Sequence, residues 1–284
     1  MKYDVRDSET LSYEPCRYGL SRIYFRGPKR DLDQPYLDFL GGTETFGKFI
    51  EMPFPALVEA KLNHPCVNFG CVNGGVDAFV NDTTIMGACR DADITVIQVM
   101  GANNLSNRFF AVHPRRNDRF LRASSVLKAI YSDIDFSDFT FTRHMLGALY
   151  EASDERFDIV VAELRAAWSA RMRSMLDQVG GRVILLWFSR ETLSDAAWQE
   201  NDNPIGADPL FITQSMVEEL RERVIDVVHV RPSSLGLAEG TMGMQFPAIQ
   251  SRAAANMLGL RAHAEAADII SYRLREAMIE LERY

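Results

Sequence analysis

The sequence has 284 residues, of which 47% are hydrophobic and 25% charged, and its net charge is -8. These proportions are typical of a soluble globular protein that buries a full core. The acidic charge disfavours nucleic acid and anionic membranes as partners, and no apolar run reaches the ~20 residues that a membrane span requires. Residues 1–7 lack the apolar segment of a secretory signal, so a cytoplasmic location is expected.

No linker, internal repeat or low-complexity segment divides the chain, so a single α/β domain over residues 1–284 is predicted. Residues 1–35 are polar, show no clear period, and are interpreted as an arm packed on that domain. The cysteines lack the spacing of a zinc site or a disulfide framework, so we expect reduced thiols, no metal and no cofactor. They are Cys16, Cys66, Cys71 and Cys89.

The first predicted strand–turn–helix unit begins at Leu37. A short apolar run ends in Gly41 and Gly42, and an amphipathic segment follows. This places Thr43 at the carboxyl end of a strand, the edge at which open α/β sheets bind ligands. The Thr43 hydroxyl is therefore a candidate nucleophile or anion-binding donor. The alternative is an ordinary turn in which Thr43 only caps the helix.

Two further units repeat this pattern. A short apolar strand runs into the glycine-rich turn of residues 68–75, and a helix is predicted from about Val76 to Cys89. The β-branched run of residues 94–100 is the best strand in the sequence, and it ends at residues 101–104, Gly-Ala-Asn-Asn. Because parallel strands present their carboxyl ends at one edge, we expect the three turns to converge on one crevice.

About eighty residues separate this strand from the next one, residues 182–188, which is more than a crossover needs. Helical periods start near Phe120, Phe141 and Phe157, so residues 105–181 are predicted to form a helical insertion, a cap or a dimer surface. A fifth strand is predicted over residues 225–230, and a final amphipathic helix begins at about Ala264.

The three turns resemble the first three sequence blocks of the SGNH (GDSL-like) hydrolases. Residues 41–47, Gly-Gly-Thr-Glu-Thr-Phe-Gly, are similar to the first block, the Asn-x-Gly-rich turn at 68–75 to the second, and residues 101–104 to the third. More narrowly, the His-Pro-Arg-Arg-Asn-Asp-Arg-Phe core of residues 113–120 resembles a functionally uncharacterised group of bacterial proteins of about this length. The resemblance implies a flavodoxin-like three-layer α/β/α sandwich with a five-stranded, mostly parallel sheet.

The same resemblance implies an esterase or acyltransferase chemistry. It makes Thr43 the nucleophile, Gly74 or Gly75 and Asn103 the oxyanion donors, and His263 the base, because a neutral hydroxyl needs a base and the tetrahedral intermediate needs fixed donors. The sequence departs from the family at three positions. Thr43 replaces serine, Gly42 replaces aspartate, and Leu260 stands where the acidic partner of the histidine is expected.

A basic cluster follows the third turn. Arginines and a histidine in an acidic protein suggest recognition of a carboxylate, phosphate, sulfate or acidic sugar. The alternative is that they pair with nearby aspartates and fix the insertion. Glu44 could act on a proton or sit in the helix's first turn for electrostatic reasons. The candidate substrate-binding residues are Gly42, Glu44, Asn104, Asn107, Arg108, His113, Arg115 and Arg116.

Two classes of function remain open. The first is an enzyme that hydrolyses or transfers an O-acyl group of a small molecule or saccharide, with an anionic group as one option for the substrate. The second is a catalytically inactive SGNH-like module that binds an anionic ligand or a protein partner. A homo-oligomer is compatible with either class. A nucleotide-dependent transferase is disfavoured, because no Walker sequence or Gly-x-Gly-x-x-Gly motif is present.

Overall fold

The computed structural model describes residues 11–196, 198, 204–206, 208–281 and 283. Residues 1–10 of the predicted arm lie outside this part of the chain. The strands are β1 (Leu37–Gly41), β2 (Cys66–Gly70), β3 (Ile94–Gln98), β4 (Phe110–His113), β5 (Arg116–Ala123), β6 (Val183–Phe188) and β7 (Asp226–Val230). The helices are α1 (Thr43–Phe46), α2 (Phe54–Leu62), α3 (Thr83–Asp91), α4 (Ser125–Ile130), α5 (Thr142–Ala152), α6 (Asp154–Val179), α7 (Gln214–Glu218), α8 (Ser234–Ala238), α9 (Ser251–Ala255) and α10 (Leu260–Leu281).

The central sheet has five strands in the order β2-β1-β3-β6-β7, and every neighbouring pair is parallel. The five-stranded α/β fold predicted from the sequence is confirmed. The chain passes from β1 outward to β2 and then returns to the other side of β1 to form β3. The strand order therefore reverses between β1 and β3, and the space above this switch point is where doubly wound sheets bind ligands.

Each face of the sheet buries its own apolar cluster. Alternation along β1 sends Leu37 and Phe39 to the face covered by α2 and α10, and Leu40 to the opposite face. The second face is covered by α3 and by the long helix α6, whose Trp168 is fully buried. Helices on both sides of a buried parallel sheet give the three layers.

The insertion before β6 is helical from Ser125 onward, but it begins with a hairpin that the sequence analysis did not predict. β4 and β5 pair antiparallel, and β5 includes Phe120, where a helix was expected to start. Buried residues alternate along β4, with Phe110 and Val112 facing the core. Only one face of the hairpin is buried, so its other face can carry arginines. These charged residues obscured the alternation that is typical of a strand.

The helix predicted from Val76 to Cys89 is divided. Val76–Ala78 form a 3₁₀ helix, and α3 begins at Thr83. α3 begins at this point because Asp82 is its N-cap. The Asp82 carboxylate accepts hydrogen bonds from the Thr84 and Ile85 amides at 3.1 and 3.2 Å. In the described part of the chain, no helix combines the length and the apolar character needed to cross a bilayer.

Candidate functional site

A crevice of about 630 Å³ opens above the carboxyl ends of β1, β2 and β3. The three turns predicted to converge do so, since Thr43, Gly74 and Asn103 all line it. Gly42, Glu44 and Asn104 line it as well. Segments from the second half of the chain complete the walls, among them residues 188–191 and 256–258.

Gln98, the last residue of β3, fixes the turn that presents Thr43. Its buried Oε1 atom accepts hydrogen bonds from the Gly42 amide at 3.1 Å, the Thr45 amide at 3.2 Å and the Thr45 hydroxyl at 2.6 Å. The backbone on both sides of Thr43 is therefore attached to the neighbouring strand. Gln98 was not among the predicted site residues, and a polar residue at the end of a β-branched strand was the available signal.

The Thr43 hydroxyl is held by the second turn. Its oxygen accepts a hydrogen bond from the Asn73 amide at 2.9 Å, and the same hydroxyl lies 3.4 Å from the Asn73 Oδ1 atom. The Asn73 Nδ2 atom in turn donates to the Asp118 carboxylate at 3.1 Å. Thr43 thus faces the crevice with a defined orientation. Its hydroxyl donates only a long hydrogen bond, to the Asn73 Oδ1 atom.

The predicted oxyanion donors are in the crevice, but other protein groups already accept some of their hydrogen bonds. The Gly74 amide donates to the Cys71 carbonyl at 2.8 Å. The Asn103 Nδ2 atom donates to Asn104 Oδ1 at 2.9 Å, which leaves one of its two N–H groups for a ligand. Gly75, the alternative donor, gives its amide to the Asn117 side chain at 3.0 Å.

His263 lies in the first turn of α10, where it is completely buried. Its ring stacks on Phe54 and meets Phe188 edge-on, with centroid distances of 5.9 and 5.4 Å. The Nδ1 atom accepts a hydrogen bond from the Phe54 amide at 3.2 Å, and Nε2 lies 3.4 Å from the Glu44 Oε2 atom. The two ring nitrogens therefore face the Phe54 backbone amide and the Glu44 carboxylate. The crevice lining does not include His263, and its predicted role as the base stays a prediction.

Glu44 connects this buried histidine to the crevice. Its side chain is 16% exposed, and its Oε1 atom accepts a hydrogen bond from the Leu258 amide at 3.2 Å. Its other oxygen faces His263. No acidic partner for His263 was predicted from the sequence. The carboxylate comes from α1, directly after β1, and not from the segment before α10.

Two arginines in the crevice are not among the predicted substrate-binding residues. Arg143 donates to the Asp208 carboxylate at 2.7 Å and to the Ile205 carbonyl at 2.6 Å. Arg190 donates to the carbonyls of Ala255 and Met257.

The surrounding protein desolvates the Asp208 carboxyl and raises its pKa, although 68% of the side chain is exposed and Arg143 opposes the shift.

The predicted basic cluster lies outside this crevice. Arg108 pairs with the buried Glu163 of α6 at 2.6 Å. Asn107 closes a turn by accepting from the amides of residues 109 and 110, and the His113 Nδ1 atom accepts from the amides of Arg115 and Arg116 in the hairpin loop. Arg115 and Arg116 are exposed. Among the described residues, no group of His, Cys, Asp and Glu side chains could hold a metal ion.

Comparison with known proteins gives a family and two similar solved structures. One is the crystal structure of the lipase/acylhydrolase from Enterococcus faecalis, with 12% identity and a TM-score of 0.40 over 86% of this chain and 96% of the other. The other is the lipase Lip_vut3 from a goat rumen metagenome, with 12% identity and a TM-score of 0.39 over 86% of this chain and 97% of its own. Similarity at this level says nothing about activity.

No curated protein matches the sequence. A family model does match, and it spans nearly the whole chain, residues 1–278. The chain therefore belongs to the family described as Domain of unknown function (DUF6473).

Proposed function

We propose that the protein is an SGNH-like hydrolase or acyltransferase that acts on an O-acyl ester, with the Thr43 hydroxyl as the nucleophile. The observation that carries this proposal is the convergence of Thr43, Gly74 and Asn103 on one crevice at the switch point of the sheet. A hydroxyl beside fixed hydrogen-bond donors is the arrangement that acyl transfer requires.

In the proposed reaction the Thr43 oxygen attacks the ester carbonyl carbon, and the carbonyl electron pair moves to oxygen. The remaining Asn103 N–H group is the donor best placed for that oxyanion, because its partner Asn104 keeps the amide in the crevice. Collapse of the intermediate breaks the bond to the alcohol, which leaves with a proton. Attack of water on the acyl-threonine then gives hydrolysis, and attack of another alcohol gives transfer.

The crevice is suited to a small-molecule or saccharide ester. Its volume lies within the range of small-ligand sites. Amide side chains such as Asn73 and Asn104 and the ring of Phe141 line it, and these groups suit hydroxyls and the apolar face of a sugar. Among the described lining residues, the carboxylates outnumber the guanidinium groups, which favours a neutral substrate over an anionic one. The charged lining residues are Glu44, Asp118, Glu191, Asp208, Arg143 and Arg190.

Replacing the hydroxyl tests the proposal. Thr43→Ala should lower kcat for p-nitrophenyl acetate by at least about 100-fold, because the nucleophile is lost. Thr43→Ser should keep or raise the rate, since it removes only the methyl group that crowds the attack path. Thr140→Ala, at an exposed position outside the crevice, is the matched control. Equal rates for the wild type and Thr43→Ala would contradict the proposal that the protein is an enzyme with Thr43 as its nucleophile.

A second candidate function is an inactive module that binds a ligand in the same crevice. The observation in its favour is that the Gly74 amide and one Asn103 N–H already have protein acceptors. In this case p-nitrophenyl acetate is hydrolysed only at the background rate, while titration calorimetry with glucuronate, as a probe of anionic ligands, gives a saturating isotherm. A flat titration with glucuronate together with background hydrolysis would contradict an inactive module that binds anionic ligands.

A further inference from the structure

We infer that Glu44, and not His263, accepts the proton in the proposed reaction, and that His263 is a positioning residue for the Glu44 carboxylate. This inference rests on the proposed acyl-transfer function. It reverses the expected roles, because the carboxylate works in the crevice and the imidazole supports it from the core.

The hydrogen bonds of His263 fix where its proton lies. The Nδ1 atom faces the Phe54 amide N–H at 3.2 Å, so Nδ1 must be the acceptor and the ring proton must be on Nε2. A second proton on Nδ1 would place two N–H donors against each other. The ring can accept a proton only by giving up the Phe54 hydrogen bond, which caps the first turn of α2.

The packing of His263 also separates it from the substrate. The ring is 0% exposed, and it lies between Phe54 and Phe188 in the apolar layer beneath α10. Its Nε2 atom faces a polar group of the crevice, the Glu44 Oε2 atom at 3.4 Å. The Nε2 atom has no hydrogen bond of normal geometry in the described part of the chain, so the Glu44 carboxylate is the group that a proton on Nε2 would face. A buried imidazole that accepts at Nδ1 and turns its Nε2 proton to a carboxylate is suited to orient that carboxylate.

Glu44 is the carboxylate beside the proposed nucleophile. It follows Thr43 in the chain and lines the same crevice. The Leu258 amide holds one carboxylate oxygen and His263 faces the other, so the carboxylate has a defined orientation while 16% of the side chain stays exposed. Two other carboxylates of the crevice have partners of their own, since Asp208 pairs with Arg143 and Asp118 accepts from Asn73.

The proton then follows a balanced path. As the Thr43 oxygen bonds to the acyl carbon, its proton passes to Glu44 directly or through one water molecule. The Glu44 carboxylic acid returns this proton to the departing alkoxide oxygen when the ester bond breaks. In the second half of the reaction Glu44 takes a proton from the attacking water and gives it back to the Thr43 oxygen. His263 keeps its proton throughout.

Substitutions of both residues distinguish the two roles, with p-nitrophenyl acetate as the substrate. Glu44→Gln should lower kcat by 100-fold or more and change KM little, because general-base catalysis contributes about 10²–10⁴-fold. His263→Gln should keep kcat within about 10-fold of the wild type, since its amide N–H can still donate to Glu44. His263→Phe, which fills the same space without a donor, should lose more activity than His263→Gln.

Two further readouts separate chemistry from folding. Formate should restore part of the activity of Glu44→Ala, an effect that a purely structural role would not produce. Nitrogen NMR of ¹⁵N-histidine-labelled protein should show the His263 ring proton on Nε2, with the resonance assigned by its loss in His263→Gln. Glu280→Gln and His229→Gln are exposed matched controls that should behave as the wild type.

The inference is overturned if His263→Gln loses as much kcat as Glu44→Gln, if Glu44→Gln stays fully active, or if the His263 proton lies on Nδ1. These outcomes are separable from failure of the proposed function. If Thr43→Ala hydrolyses the ester as the wild type does, the acyl-transfer proposal itself fails, whatever the NMR spectrum shows.

Discussion

Asp38 is a buried carboxyl on β1, well below the crevice. Its side chain is 0% exposed, and in the described part of the chain neither of its oxygens has a hydrogen bond of normal geometry. The Cys89 thiol and the Thr95 hydroxyl lower its pKa, but by less than burial raises it. Desolvation raises the pKa of Asp38 from 3.8 to about 7.

This raised pKa makes the stability of the fold depend on pH. The unfolded chain ionises Asp38 near pH 4, whereas the folded chain keeps the proton up to about pH 7. Protonated Asp38 therefore makes its full contribution to the free energy of unfolding below pH 4. This contribution falls by roughly 4 kcal/mol as the pH rises to 7, at about 1.36 kcal/mol per pKa unit.

Asp38→Asn should remove this pH dependence, because the amide resembles the protonated carboxyl and does not ionise. Urea unfolding of the wild type and the variant at pH 5 and pH 8 measures the effect. The variant should gain stability relative to the wild type as the pH rises, whereas Asp33→Asn, at an exposed position, should follow the wild type. A parallel loss of stability in Asp38→Asn and the wild type would contradict the assignment.

At the scale of elements, the crevice depends on how closely the turns approach one another. The second and third turns meet at Gly75, where an added Cβ atom would lie 2.1 Å from the Asn104 carbonyl oxygen. That separation is far shorter than a real contact, and the neighbouring atom is backbone. Glycine at this position therefore holds Gly74 and Asn104 on the same crevice wall.

Gly75→Ala should push these two turns apart. We expect a loss of stability of about 1–3 kcal/mol, the usual cost of overpacking, and a larger proportional loss of kcat for p-nitrophenyl acetate. Gly147→Ala is the control, since nothing lies within 4 Å of its Cβ position in α5 and alanine should stabilise the helix by about 0.5–1 kcal/mol. Urea unfolding and ester hydrolysis measure both variants. Unchanged behaviour of Gly75→Ala would mean that the turns are free to separate.

At the scale of the whole molecule, two apolar layers share one sheet. All three tryptophans belong to the layer beneath α3 and α6. The other layer, beneath α2 and α10, contains none among its buried residues in the described part of the chain. Because both layers pack on the same five strands, we expect them to unfold together.

Leu274→Ala tests this coupling from the layer that lacks tryptophan. Leu274 is 0% exposed, so truncation should cost about 2–5 kcal/mol. Tryptophan fluorescence and far-UV circular dichroism should report the same lowered midpoint in urea. If the tryptophan transition stays at the wild-type midpoint while the circular dichroism transition falls, the layers unfold independently. Leu235→Ala, at an exposed position on α8, is the control.

The sequence by itself determined the fold class and the place of the crevice. The strand at residues 94–98 is rich in β-branched residues, and each of the first three strands leads into a turn that contains glycine and a small polar residue. These are local signals, since burial on both faces dictates composition and a tight turn dictates glycine. The convergence of Thr43, Gly74 and Asn103 follows from the parallel topology.

Only the tertiary structure decided which charged groups face that crevice. Glu44 meets His263, and Arg143 meets Asp208, across separations in sequence that leave no local pattern. For Arg108 the sequence left ligand binding and pairing with a nearby aspartate both open, and in the structure Arg108 pairs with Glu163 on α6. A long charged side chain can reach several neighbours, and the packing of the insertion and of α10 on the sheet determines which neighbour is within reach.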